Sequence, residues 1–274
     1  MPVLAALAAA TALVAGVAAP AYAAGPAPVA PVVEGRPGFH PDRDFAGSTV
    51  AAHEGRGGAP FASLAATQTP GLDVSSYQGS VNWSSTAANG ARFAYVKATE
   101  GTGYTNPSFA QQYNGSYNAG LIRGAYHFAL PNSSSGATQA TYFVNHGGGW
   151  SADGRTLPPA LDIEYNPYGA TCYGLSQSAM VGWIRSFSDT VHARTGRYPT
   201  IYTTANWWAQ CTGDNGGFGA TNPLWIARYG STVGTLPNGW GYQTIWQFAD
   251  SGTFPGDQDY FNGAADRLRA LALG

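Results

Sequence analysis

Beyond residue 70, short apolar runs alternate with longer segments whose apolar residues recur every three or four positions. Runs rich in β-branched and aromatic residues fall at 71–75, 93–98, 121–128, 159–164, 199–203, 223–229 and 242–248. Helical patterns lie between the early ones, at 81–89, 107–119, 136–146 and 175–195. The last is the clearest: Met180, Trp183, Ile184, Phe187 and Val191 stand at i, i+3, i+4, i+7 and i+11. Thr195-Gly196 then supplies a glycine stop. Strand–helix alternation predicts parallel strands joined by right-handed crossovers. After 199 the helical patterns thin, so the later strands must connect more directly. Seven strands plus a short eighth at 257–260 predict a closed α/β barrel, smaller than the usual ~250 residues. A doubly wound open sheet is the alternative, but no Gly-rich dinucleotide turn follows the first strand.

The first 70 residues read differently. In 1–23 the run from Val3 to Ala19 is apolar and Ala-rich, and Ala21-Tyr22-Ala23 forms an A-x-A cleavage site, which marks a secretory signal peptide. No Lys or Arg precedes Arg36, so the basic n-region is missing and the natural start is expected further upstream. A membrane anchor would need a more strongly apolar run than this Ala-rich one. Residues 24–70 are rich in Ala, Pro and Gly, with one polar patch, His40-Pro41-Asp42-Arg43-Asp44, and no periodicity. They read as a propeptide or flexible leader. His40, Asp42, Asp44, His53 and Glu54 fit no metal-ligand spacing and read as a solvated tail. Residues 71–274 then form one domain by length.

Composition narrows the class. The chain is 44% hydrophobic with 8 Trp, 16 Tyr and 12 Phe, enough to bury a large core and to exclude disorder. Its 37 glycines have no three-residue repeat, which excludes collagen. Net charge is −2 with no basic run, so nucleic acid is not an expected partner. So little charge beside so much Trp, Tyr, Gly, Asn and Ser is typical of exported proteins that handle sugars.

The carboxylates carry the chemistry. The domain has two glutamates, Glu100 and Glu164. Glu164 ends the run Leu161-Asp162-Ile163-Glu164, and strand alternation puts Asp162 and Glu164 on one side, Leu161 and Ile163 on the other. In a barrel the shared side is the interior, with position 164 at the C-terminal mouth where active sites form. Asp73 holds the equivalent place on the first strand, and Asp257-Gln258-Asp259 follows the last β-rich run. Acids converging on one mouth raise each other's pKa, which keeps a carboxylic acid protonated near neutrality and fit to act as a general acid. Any one such acid, taken alone, is better read as a turn cap or a Ca²⁺ ligand. Asp73 and the Asp162/Glu164 pair, on separate strands, favour catalysis.

At these residues the chain resembles the family 25 glycoside hydrolases, the Chalaropsis-type lysozymes. Asp73-Val74-Ser75-Ser76-Tyr77-Gln78-Gly79 resembles the family's opening motif. Lys97-Ala98-Thr99-Glu100-Gly101, Gly124-Ala125-Tyr126-His127-Phe128, Leu161-Asp162-Ile163-Glu164, Trp225-Ile226-Ala227-Arg228-Tyr229 and Trp246-Gln247-Phe248 follow in the family's order. The likeness runs from about 71 to 262. It implies an irregular TIM-like barrel of five β/α units followed by strands with few helices, as in secreted actinomycete muramidases. It further implies hydrolysis of the β-1,4 bond between N-acetylmuramic acid and N-acetylglucosamine in bacterial peptidoglycan, in some members with tolerance of 6-O-acetylation. Carried over by motif, Glu164 is the general acid, with Asp162, Asp73 and Asp257 around it. Asp259 stands where the family often has Asn, so the register could slip by two.

Other residues have competing readings. Lys97, the sole lysine, stands amid Ala94, Tyr95, Val96 and Ala98. It either pairs with a carboxylate such as Glu100 or snorkels from a strand edge. His127 reads as a hydrogen-bonded structural histidine rather than a base. Tyr126, Tyr165, Tyr202 and Trp225, at or near strand ends, are candidates for stacking on sugar rings or for plain core. Gln247 is a further candidate substrate contact. Cys172 and Cys211 are the only cysteines, and export favours their pairing. Glycoside hydrolysis needs no cofactor. After signal cleavage no membrane partner is expected, and the enzyme is expected to be extracellular and monomeric. Two rival functions are a chitinase and a non-catalytic wall-binding module. The family 18 chitinase signature wants acids where this chain has Leu157 and Ala160. The filled acid positions argue against the wall-binding module.

Overall fold

The computed structural model describes residues 39–56 and 67–274. The expected signal peptide, 1–23, lies outside the described residues, as does much of the 24–70 leader. Eight strands close a barrel: β1 (Thr69–Val74), β2 (Phe93–Glu100), β4 (Ile122–Phe128), β5 (Ala160–Asp162), β6 (Thr200–Thr203), β7 (Leu224–Ala227), β8 (Ile245–Ala249) and β9 (Asp257–Phe261). A two-residue strand, β3 (Tyr104–Thr105), pairs antiparallel to the end of β2. Each expected strand is present within a few residues, and β1 pairs with both β2 and β9, which closes the ring. All eight are parallel except β9, which runs antiparallel to both β8 and β1.

Five β/α units come first. The helices are α2 (Trp83–Ala88) after β1, α3 (Phe109–Asn118) after β2, α4 (Gly136–Asn145) after β4, α5 (Gln177–Thr195) after β5 and α6 (Ala205–Thr212) after β6. Helix α5 buries Met180, Trp183, Ile184, Phe187 and Val191, the stripe its spacing defines. Ser176 caps its start by accepting from the Ala179 N–H, and Gly196 ends it at φ 77° in the left-handed region. Three helices outside the four helical patterns read from the sequence also form: α1 (Val50–Glu54) in the leader, α6, and α7 (Ala265–Leu273) at the C-terminus. Among the described residues, no helix is long and apolar enough to cross a membrane.

Outward strand residues such as Leu161, Ile163, Ile201 and Ile226 pack under the helices. Inward ones fill the barrel: Phe93, Tyr95, Tyr126, Ala160, Tyr202, Trp225, Ile245 and Phe261, each side chain worth roughly 1.5–3 kcal/mol when large and buried. So aromatic an interior needs small neighbours, and a Cβ at Gly71 would overlap the Phe93 ring. The same inner cluster includes Leu268 and Ala272 of α7 at one end and Ala46 and Val50 of the leader at the other. Residues 39–56 are therefore packed into the fold, not a solvated tail.

Candidate active site

The mouth is built by the ends of β1, β5, β8 and β9. Asp162 closes β5 facing inward, and Glu164 follows on the same side just past the strand. Asp73 on β1 lies opposite Asp257 in the β1–β9 register, and Gly71 lies opposite Asp259. From β8, the Gln247 side-chain amide reaches across and joins the two acids. Its Nε2 donates to Asp73 Oδ2 at 2.8 Å and Asp257 Oδ2 at 2.9 Å, and its Oε1 accepts from the Tyr202 hydroxyl at 2.7 Å. Asp259 turns to the interior, where Trp225 Nε1 donates to its Oδ1 at 2.9 Å. So Asp257 is the acid at the mouth in this structure, and Asp259 the one beneath it.

Glu164 is held from the leader. Its Oε1 accepts from the Gly47 N–H at 2.8 Å, and its Oε2 accepts from the Thr49 N–H at 3.3 Å and from the Thr49 hydroxyl. Neither oxygen of Asp162 meets a donor N–H or O–H among the described residues, although the Glu164 carboxyl stands beside them.

Burial raises every one of these pKa values, because a charged carboxylate loses its water. Glu164 is pushed up to about 7 by burial, against the pull of the Thr49 and Gly47 donors. Asp73 is pushed up to about 8 by burial, with the Glu164 charge adding to it and the Gln247 hydrogen bond opposing it. Asp162 and Asp257 rise well above the ordinary range, first by burial and then by their acidic neighbours, Glu164 and Asp73 respectively. The mouth thus holds protons at neutral pH, and its acids titrate as one coupled group.

The aromatic candidates divide. Tyr126, Tyr202 and Trp225 lie inside the barrel rather than at its rim, and none is exposed. Trp225 stacks on Tyr95 at 4.8 Å between centroids and meets Tyr202 edge-on at 4.8 Å. Their faces are occupied by one another, and Tyr126 and Tyr202 present only hydroxyls to the mouth. Tyr165 is at the rim, but its ring is covered: His53 of the leader lies parallel to it at 4.0 Å.

Lys97 and Glu100 form a buried pair at 2.6 Å. The ammonium also donates to the Pro41 carbonyl at 3.0 Å and to the Asp44 carbonyl, and lies 5.0 Å from the centre of the Phe128 ring. Asp44 is itself buried, its carboxylate accepting from the Tyr168 hydroxyl. His127 is fixed on both nitrogens, to Thr99 Oγ1 at 2.7 Å and Gln139 Oε1 at 3.0 Å, and burial drives its pKa down to about 3. It stays neutral and structural. Cys172 and Cys211 are joined, tying the loop after Glu164 to α6.

Sequence reasoning missed two contributors. Tyr229, whose hydroxyl donates to the Gly47 carbonyl at 3.1 Å, ends the Trp225–Tyr229 motif, which by itself assigns it no role. The leader segment showed no apolar period and so gave no signal.

The family model for glycosyl hydrolases family 25 matches residues 72–257. An N,O-diacetylmuramidase from a Chalaropsis species is 54% identical over 208 residues, covering 74% of this chain and 99% of that protein. Lysozyme M1 of Streptomyces globisporus is 53% identical over 207 residues, covering 74% of this chain and 70% of that one. Among solved structures, a muramidase from Acremonium alcalophilum superposes with a TM-score of 0.74 at 60% identity, over 75% of this chain and 99% of its own. A bacterial lysozyme from Streptomyces coelicolor superposes with a TM-score of 0.74 at 51% identity, over 76% of this chain and 99% of its own.

Proposed function

The chain belongs to glycosyl hydrolase family 25, and from that premise we propose that it is an exported muramidase. It cleaves the β-1,4 bond between N-acetylmuramic acid and N-acetylglucosamine in bacterial peptidoglycan. The observation that carries this reading is the cluster of Glu164, Asp162, Asp73 and Asp257 at one barrel mouth, every member shifted toward its protonated form. The names of its close relatives, N,O-diacetylmuramidase and lysozyme, supply the substrate. Export rests on the 1–23 segment and on the Cys172–Cys211 disulfide. A monomer acting on glycan strands, without nucleic acid or membrane, completes the proposal.

In the reaction, Glu164 enters protonated and gives its proton to the leaving glycosidic oxygen. Two carboxyls two residues apart on one face do not flank a bond from opposite sides. That arrangement suits neither the inverting spacing of about 6.5–9.5 Å nor a face-to-face retaining pair. The 2-acetamido group of the muramic residue serves instead as the nucleophile, its carbonyl oxygen attacking the anomeric carbon as that C–O bond breaks. Asp162, whose oxygens meet no donor N–H or O–H among the described residues, accepts the acetamido N–H, and its own proton must leave the coupled cluster for the carboxylate to stabilise the positive charge the group acquires. Water then opens the cyclic intermediate, with the Glu164 carboxylate as base, and configuration is retained. Asp73, Asp257 and Gln247 form a cross-linked floor that keeps the Glu164 proton in place. Gln247 and the hydroxyls of Tyr126 and Tyr202 offer the sugar its polar contacts. Tyr165 offers a ring face at the rim, whereas Trp225 supports the floor from beneath.

Clearing of purified cell walls, followed by turbidity, tests this directly. The catalytic domain should clear walls and its Glu164→Gln variant should not. A variant as active as the parent removes Glu164 from the reaction, and binding without clearing would favour a wall-binding module.

A further inference from the structure

Glu164, Asp73, Asp162 and Asp257 are each 2% exposed or less. A general acid that is fully covered cannot reach a polymeric substrate, and what covers it is this chain's own leader. Residues 39–56 cross the barrel mouth from Lys97 to Asp250. Lys97 holds the Pro41 and Asp44 carbonyls. Tyr126 Oη accepts from the Ala46 N–H at 3.3 Å, and Gln247 Nε2 donates to the Ala46 carbonyl at 2.7 Å. Glu164 takes its donors from Gly47 and Thr49, Tyr165 has His53 on its ring and donates its hydroxyl to Glu54 at 2.7 Å, and Arg56 pairs with Asp250 at 2.7 Å.

The manner of contact is that of a ligand. Backbone N–H groups meet the acid, backbone carbonyls meet the side-chain amide and the ammonium, and a flat ring covers the rim tyrosine. A glycan with acetamido groups presents the same chemistry. Gly47 shows how closely the segment fits, since it is at φ 97° and a Cβ there would lie 2.6 Å from Gln247 Oε1 and 2.9 Å from Asp257 Oδ2. Barrels solved in this family superpose on three quarters of this chain over 99% of their own. That is the share residues 69–274 make up.

We propose that the protein is made as a zymogen in which residues 39–56 occupy the glycan cleft as an intramolecular inhibitor. The activating reaction is hydrolysis by an endopeptidase between Arg56 and Thr69. Water adds across one peptide bond, leaving a carboxylate on the leader and an amine on the barrel. Cutting turns a tethered segment, held at millimolar effective concentration, into a separate peptide that dilution carries away. The inference rests on the active site argued above, since a plug inhibits only if it covers the working acid.

The test uses the full chain with a recognition sequence for a site-specific endopeptidase replacing residues 59–64. Wall clearing should rise about tenfold or more on cutting, as loss of the tether predicts. Gly47→Val, which prevents seating without altering the barrel, should bring the uncut chain up toward the cut rate, and Thr49→Ala should do so in part. Synthetic peptide 39–56 added to cut enzyme should inhibit in competition with substrate. Equal clearing by cut and uncut chains overturns the proposal, as does a Gly47→Val chain no faster than its uncut parent. If the cut chain clears no wall, the proposed function fails, and the plug is then judged by hydrogen exchange. Slow exchange of the Gly47 and Thr49 amides in the uncut chain supports it; exchange at coil rates overturns it.

Discussion

The division of labour between Glu164 and Asp162 can be separated by the leaving group. A proton donor matters in proportion to how poor the leaving group is, whereas a group acting at the acetamide matters for every substrate. Glu164→Gln should abolish clearing of walls yet keep part of the activity toward an aryl glycoside with an acidic phenol. Asp162→Asn should depress both alike, by about 10²-fold or more, the cost of removing one electrostatic partner from a transition state. Kinetics on the two substrates, read as kcat/KM, check this. The pH profile follows from the same residue. Glu164, raised to about 7, is protonated below that pH and loses its proton above it. Part of that burial and the Gly47 and Thr49 donors come from residues 39–56, so the cut enzyme should lose activity about tenfold per pH unit above a Glu164 midpoint displaced from that of the uncut chain. An acid limb alone, with full activity at pH 9, would assign the proton donor elsewhere.

At the scale of elements, most of the barrel was legible because its elements are amphipathic in a simple way. Helix α5 shows a stripe in sequence and buries that stripe. The run through the end of β5 shows Leu161 and Ile163 against Asp162 and Glu164 and sorts them to opposite sides. The direction of β9 was less plain, yet it follows from chain length: the seven residues between Ala249 and Asp257 are too few for a parallel crossover, so β9 must return antiparallel. The leader was illegible for a different reason. Its contacts run through the Gly47 and Thr49 N–H groups and the Pro41, Asp44 and Ala46 carbonyls, which every sequence possesses and no hydrophobic pattern records. Trp225 and Tyr202 look like rim aromatics only while the depth of the strand end is unknown. One element-scale prediction concerns the disulfide. Joining residues 39 apart constrains the unfolded chain by about 4 kcal/mol in the chain-entropy model. Cys172→Ser should therefore lower Tm by about 10 °C in calorimetry. An unchanged Tm would mean the bridge holds nothing that packing does not.

For the whole molecule, the acid cluster sets a conflict between stability and function. Asp73 has a folded pKa of about 8 against an ordinary value of 3.8, because burial disfavours its charge. Below about pH 4 folded and unfolded chains both hold that proton. As pH rises toward 8 the unfolded chain ionises freely while the folded one resists, so stability is lost across that window. Tm should be highest in mild acid and fall toward pH 8. Asp73→Asn keeps an oxygen to accept from Gln247 and removes the ionisation, so it should flatten the profile and raise Tm at pH 8 while impairing catalysis. A Tm that climbs from pH 5 to pH 8 in the parent would contradict the buried, protonated cluster.

The central claim, that this mouth cuts peptidoglycan on the muramic side, is tested most directly by the ends it leaves. Purified peptidoglycan is digested with the cut enzyme, the soluble fragments are reduced with borohydride, and mass spectrometry identifies the reduced sugar. The account predicts muramitol at the reducing end; glucosaminitol in its place would contradict it.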